Sequence, residues 1–137
     1  MIFLKNCFVG TTQDIDVIPI HAEVQFALRD CGLKSGVLMV SIPDSGASPI
    51  VFDAQTEKIE TLKEAFKQLG PPFVQGVYIG NSVSVPFQGD KLLLAPKRNV
   101  YIVDFATEGK RREFVLHLMG EPKEAPAARP TRQQARR

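Results

Sequence analysis

The sequence has few cysteines and no tryptophan, so it lacks the disulfides and large aromatic side chains with which many small proteins stabilise a small hydrophobic core. Among 137 residues there are two cysteines, Cys7 and Cys31, and no tryptophan. Two thiols are too few for a disulfide framework, so we predict free cysteines that are at least partly buried. The 44% of hydrophobic residues can supply an ordinary core. The length is that of one domain.

Long apolar runs are also missing. A membrane-spanning helix needs about 20 consecutive apolar residues, and no run here approaches that length. The first five residues, Met1 to Lys5, lack the charged region and long apolar stretch of a secretory signal. We therefore expect a cytoplasmic protein.

Charge is distributed unevenly along the chain. Five positive and two negative residues follow Gly120, a net charge of +3, which leaves 12 positive and 13 negative residues before it. Such a nearly neutral body has no strong electrostatic footprint for nucleic acid. Residues 121–137 contain no bulky apolar side chain, so we predict a flexible basic tail after one domain over residues 1–120.

Apolar residues recur at helical spacing in two places. The first helix is predicted to start near Pro19, which suits a first turn, and to end at Gly32, which suits a left-handed cap. The second is predicted to be capped by Asp53 or Thr56 and to stop at residues 70–72. The apolar positions are Ile20, Val24, Ala27, Leu28 and Cys31 in the first, and Ile59, Leu62, Phe66 and Leu69 in the second.

The remaining periodicity indicates strands. Gly36 is predicted to form a turn before the apolar run Val37–Ile42, which reads as a strand covered on both faces. Two helices placed early among about seven strands predict an α+β fold with antiparallel or mixed β sheets. The other predicted strands are Ile2–Val9, Asp14–Ile18, Val77–Ile79, Ser82–Val85, Leu92–Leu94, Val100–Phe105 and Phe114–Met119.

The order of these segments resembles the YjbQ family, which is often labelled a secondary thiamine-phosphate synthase type. The resemblance covers roughly residues 13–121. It implies a YjbQ-like α+β fold and a homotrimer. The segments that carry it are Asp14–Asp16, Cys31–Gly36, Val85–Leu94, Val100–Phe105, Lys110–Arg112 and Leu118–Glu121.

The chain departs from that family where the family keeps its histidine-rich site. Asp44 stands where the resemblance places a histidine, Phe52 replaces an amide, and the tripeptide 97–99 (Lys-Arg-Asn) replaces Trp-Gln-Gly. The family's His- and Asp-rich stretch after the second helix has no counterpart. Only His21 and His117 remain, and we interpret both as structural. We predict no metal site and no cofactor, because no ligand cluster with suitable spacing exists.

Five residues are candidates for ligand binding: Asp44, Ser45, Asp53, Lys97 and Arg98. With Ser48, the first three could form a small polar pocket, although turn hydrogen bonding is the favoured reading. Lys97 and Arg98 could hold a phosphate or could simply be a solvated hairpin end. The segment Lys110–Arg112 could likewise bind a phosphate or be a solvated turn, and its position in a predicted turn favours the solvated turn.

Three functions of different classes follow. The favoured hypothesis is a non-catalytic, homo-oligomeric structural or binding protein, which makes enzymatic activity uncertain and disfavoured. The second is a residual thiamine-phosphate-synthase-like enzyme that acts on a phosphorylated small molecule. The third is a tail that binds RNA or another acidic partner, although the tail has no aromatic residues for stacking on bases.

Overall fold

The computed structural model describes residues 1–10, 15–44, 46–68, 80–105 and 111–123. The predicted α+β class is confirmed. The predicted strand Val77–Ile79 and most of the predicted tail lie outside the described residues. The elements, in chain order, are β1 (Ile2–Gly10), β2 (Asp16–Pro19), α1 (His21–Asp30), β3 (Leu33–Ser41), β4 (Ala47–Asp53), α2 (Thr56–Lys67), β5 (Ser82–Gln88), β6 (Lys91–Leu92), β7 (Arg98–Asp104) and β8 (Arg111–Pro122).

The strands form two antiparallel sheets. The larger sheet has the strand order β1-β8-β3-β5-β6, and the smaller sheet has the order β2-β7-β4. Every described pairing is antiparallel. Neither described helix is long and apolar enough to cross a membrane.

Two apolar clusters separate the layers. One lies between the sheets and α1, and it includes Leu38 and Leu116 of the larger sheet and Ile102 of the smaller sheet. The other lies between the opposite face of the smaller sheet and α2, where Phe66 meets Phe105 edge to face with ring centroids 5.3 Å apart. Because side chains alternate along β7, this one strand supplies both clusters.

The helix α1 begins two residues later than Pro19. Pro19 instead ends β2, where it pairs with Tyr101 of β7, and a strand at the edge of a sheet tolerates a residue without an N–H. The end of the helix agrees with the prediction, since Gly32 has a φ of +70°. All five predicted apolar positions of this helix are buried.

The strand β3 runs straight through Gly36, so the predicted turn there is wrong. Gly36 faces Gly120 of β8 and Phe87 of β5 in the sheet register. The prediction of cover on both faces is also wrong. Leu38 and Val40 are fully buried, whereas Val37 on the opposite face remains 39% exposed.

The start of α2 differs from the predicted cap. Gln55 occupies the N-cap position in an extended conformation, and no side chain caps the helix. The carboxylate of Asp53 accepts a hydrogen bond from Lys58 instead. The helix therefore depends on packing, and Phe66 is its buried anchor.

Candidate functional site

Three of the five candidate residues lie at one end of the smaller sheet. The last residue of β4, Asp53, pairs in register with Arg98, the first residue of β7. The turn before β7 is fixed because the backbone N–H of Ala54 donates to the carbonyl of Lys97 at 2.6 Å. Arg98 donates through Nη2 to the carbonyl of Val51 at 3.2 Å. The structure thus brings Asp53, Lys97 and Arg98 together.

The carboxylate of Asp53 forms an ion pair with Lys58 of α2, five residues further along the chain. Lys58 Nζ lies 2.7 Å from Asp53 Oδ2. This hydrogen bond is the main reason that the pKa of Asp53 lies below its usual value; desolvation opposes it, and the positive charges of Lys58, Arg98 and Lys97 lower the pKa further. Asp53 is therefore a stable carboxylate and is poorly suited to donate a proton near neutral pH.

A cleft of about 260 Å³ opens beside Lys97 and Arg98. The start of α1 forms one wall with His21 and Gln25, and the segment from β6 to β7 forms the other. Three cationic side chains line it, and none of the described lining residues is acidic. The cations are Lys91, Lys97 and Arg98, and the apolar part of the wall includes Leu92, Leu94 and Pro96.

Asp44 lies at the other end of the smaller sheet. It precedes β4, whereas Asp53 ends it, and seven residues of strand span roughly 20 Å. The backbone N–H of Gly46 donates to Asp44 Oδ1 at 3.0 Å, which is the predicted turn chemistry. The proposed polar pocket that joins Asp44 to Asp53 does not form. Ser45 lies outside the described residues, and Ser48 is buried opposite Val103.

The partner of Asp44 is Arg112, which bonds both Asp44 and Asp104. The prediction that the segment 110–112 is a solvated turn is wrong for Arg112, which is 3% exposed. The hydrogen bond and charge of Asp104, followed by the charge of Asp44, hold the pKa of Arg112 above its usual value despite desolvation. The sequence contains one signal that Arg112 is buried. In a strand, Arg112 lies on the same face as Phe114 and Leu116, whose side chains are in the core.

The sequence matches no family model and no curated protein. Solved structures, in contrast, match over almost their whole length. A YbjQ-like protein of unknown function from Sulfolobus solfataricus has a TM-score of 0.82 at 15% identity, over 88% of this chain and 99% of that one. An uncharacterised conserved protein of the YjbQ family from Clostridium acetobutylicum has a TM-score of 0.72 at 18% identity, over 84% and 99%. The chain has the YjbQ-like fold.

A third neighbour with the same fold is a hypothetical protein from Aeropyrum pernix, with a TM-score of 0.73 at 24% identity, over 87% of this chain and 99% of that one. At these identities the similarity establishes the architecture. Because one fold can carry many functions, the chemistry has to be argued from this chain's own side chains.

The two histidines of this YjbQ-like chain lie on different sides of the larger sheet. His21 is exposed at the start of α1, which packs on the core side. His117 lies on the opposite face, with its Nε2 3.1 Å from Ser41 Oγ. The described residues contain no group of three or more His, Cys, Asp or Glu side chains that could hold a metal ion.

The face of the larger sheet that points away from the core, here called the outer face, is apolar near Met119 and carries polar and charged side chains such as Asn6 and Glu113 farther along. One row crosses four adjacent strands in register: Ile2, Met119, Val37 and Pro86. The next row contains Leu4, His117, Met39 and Ser84. The sequence led us to predict that the run Val37–Ile42 is covered on both faces, because a strand with apolar residues on both faces is typical of a fully buried one.

Proposed function

We propose that the protein is a cytoplasmic, homo-oligomeric binding protein whose subunits meet through the outer face. The observation that carries this proposal is the exposed apolar row across four strands. Ile2, Leu4, Val37 and Met119 are all exposed large hydrophobic side chains on this face. A contiguous apolar surface of this kind marks an interaction site in a water-soluble protein.

The chemistry of the outer face suits a second copy of the same chain. In the two rows that contain Met119 and Leu4, the titratable side chain is His117, whereas Glu113 and Glu121 lie on the outer face beyond these rows. Two copies can therefore bring these two rows together without strong like-charge repulsion. The nine-residue strand β1 forms one edge of the sheet and offers backbone groups for pairing. The resemblance described above implies three copies, and we propose a trimer.

The proposed role is non-catalytic because the carboxylates among the candidate residues are already bonded to basic side chains. Asp53 is bonded to Lys58, and Asp44 is bonded to Arg112. The two carboxylates are separated by the length of β4, roughly 20 Å. His21 and His117 are separated by the larger sheet, so neither supports the other in proton transfer. These observations favour a chain that kept the YjbQ-like scaffold and lost the histidine chemistry.

The assembly is tested by comparing two variants with equally exposed positions. Leu4 on the outer face and Phe26 on α1 are both 58% exposed. We expect Leu4→Glu to convert the oligomer to monomers in sedimentation velocity, whereas Phe26→Glu retains the mass of the wild-type assembly. Circular dichroism verifies folding of both. A wild-type protein that stays monomeric at high concentration, or equal dissociation by both variants, would refute the proposal.

A second candidate is a residual enzyme that acts on a phosphorylated small molecule. The convergence of Asp53, Lys97 and Arg98 favours it, because a carboxylate beside two cations is a reasonable setting for a phosphate-bearing substrate. The test is turnover of a phosphorylated thiamine precursor. Loss of activity in Asp53→Ala but not in Glu64→Ala, whose carboxylate also pairs with an exposed lysine, would establish this function in place of the non-catalytic one.

A further inference from the structure

We propose that the basic cleft between α1 and the β6–β7 segment binds a phosphate monoester that carries a small apolar body. This inference deepens the binding role proposed above, and it does not depend on the outer face. The cleft gathers Lys91, Lys97 and Arg98 on one surface of a body whose positive and negative residues nearly balance. Such local concentration of one sign of charge attracts anions.

The cations are arranged so that their charge stays available. Asp53, which pairs in register with Arg98, is bonded to Lys58, and the described residues show no ion pair for Lys91 or Lys97. Arg98 is oriented by the hydrogen bond from its Nη2 to the carbonyl of Val51. A guanidinium held in this way can still bind a phosphate through its other N–H groups.

The backbone of Lys97 supplies an independent observation. Its φ is +69°, and it is the only described non-glycine residue with a positive φ. A long side chain in the left-handed region carries strain, and such strain concentrates at functional positions. The bond from the N–H of Ala54 to the carbonyl of Lys97 and the bond from the N–H of Arg98 to the carbonyl of Ala95 fix this turn. A glycine would fit more easily but would remove a cation from the cleft.

The remaining walls define the rest of the ligand. Leu92 and Leu94 give an apolar surface, and the amides of Gln25 and Asn99 add hydrogen-bonding groups. α1 begins at His21 without a side-chain cap, so the positive end of the helix adds to the attraction. The volume of about 260 Å³ is slightly below the range of typical drug-sized sites. It fits a phosphate with a small body and is too small for a dinucleotide.

The experiment is calorimetric titration of the full-length protein with inorganic phosphate and, separately, with phenyl phosphate at low salt. We expect phenyl phosphate to bind more tightly than phosphate, because only the ester can contact Leu92 and Leu94. Lys91→Ala should weaken binding about tenfold, the size of one charge-assisted hydrogen bond. The matched control is Lys63→Ala, which removes the same charge from α2 and should leave binding unchanged.

A second variant separates binding from folding. Lys97→Gly should be at least as stable as the wild type in urea, because glycine relieves the positive φ, and yet it should bind phenyl phosphate about tenfold more weakly. The proposal is overturned if the wild type binds neither probe, if phosphate and phenyl phosphate bind equally, or if Lys63→Ala weakens binding as much as Lys91→Ala. Sedimentation of the same samples reports assembly separately, so the two proposals can fail independently.

Discussion

Arg112 of β8 donates from Nε and Nη2 to the two carboxylate oxygens of Asp104 of β7, at 2.8 and 3.0 Å. Because β8 belongs to the larger sheet and β7 to the smaller one, this pair joins the two sheets at one end of the core. Its side chains are 3% and 0% exposed. Asp44, from the connection between β3 and β4, completes the network on the solvent side.

Removal of one partner should therefore destabilise the fold strongly. We expect Arg112→Ala to lower the free energy of unfolding by about 3–5 kcal/mol, because it leaves the buried carboxylate of Asp104 without compensation. Urea denaturation measures the change. The control is Lys58→Ala, which breaks the exposed pair with Asp53 and should lower the free energy of unfolding far less than Arg112→Ala does. Equal losses in the two variants would contradict the role assigned to the buried pair.

A double substitution refines this prediction. Replacing Arg112 by Met and Asp104 by Leu removes both buried charges and keeps apolar volume in the core. We expect the double variant to recover most of the stability that Arg112→Ala loses, since apolar replacements of buried ion pairs are often neutral or stabilising. If the double variant unfolds as easily as Arg112→Ala, packing around the guanidinium, not charge compensation, sets the loss.

The facing glycines of β3 and β8 are predicted to be intolerant of any side chain. A Cβ on Gly36 would overlap the carbonyl oxygen of Met119, and a Cβ on Gly120 would overlap that of Ser35. We expect Gly36→Ala or Gly120→Ala to cost roughly 1–3 kcal/mol, because the central strands must move apart. Gly10→Ala, which meets nothing within 4 Å, is the control. Thermal midpoints that fall equally in all three variants would disprove the prediction.

The two cysteines should react slowly with thiol reagents in the native protein. Both are buried, and desolvation raises the pKa of Cys7 despite the opposing charge of Lys5. The raised pKa leaves less thiolate at neutral pH than a free thiol has, and the thiolate is the reactive form. We expect both thiols to label rapidly only after unfolding. Rapid stoichiometric labelling of the native protein near pH 7 would contradict this.

The tail hypothesis makes a separate prediction. Residues 124–137 contain four arginines and one glutamate, whereas the described chain ends at Lys123, whose N–H donates to the carbonyl of Gly32. If the tail binds RNA or another polyanion, a chain ending at Lys123 should lose affinity for polyuridylate and lose its steep salt dependence. Equal affinity of both chains at low salt would exclude the tail as the binding element.

Local patterns predicted the helices well. The apolar positions of α1, including Val24 and Leu28, lie in the core between the sheets, and Phe66 anchors α2 against Phe105. Both results follow from helical spacing, which is a property of neighbouring residues. The extent of β3 and the position of Pro19 were predicted wrongly, because pairing with another strand decided them.

The candidate site was predicted only in part, for a similar reason. Asp53 and Lys97 are far apart in sequence and meet because β4 pairs with β7. Asp44 was expected near them but bonds Arg112, 68 residues away. Lys91 contributes to the cleft through the placement of β6 beside α1, and nothing in its local sequence indicates this.

The sequence by itself determined the buried faces of the helices, the α+β class and the scarcity of histidine. These properties depend on composition and on the spacing of neighbouring residues along the chain. Only the tertiary structure decided which apolar strand residues are exposed on the outer face, and which charges are buried. The physical reason is that burial and ion pairing depend on neighbours brought together across sheets. Arg112 shows this most clearly, since Asp104 and Asp44 reach it from two other segments of the fold.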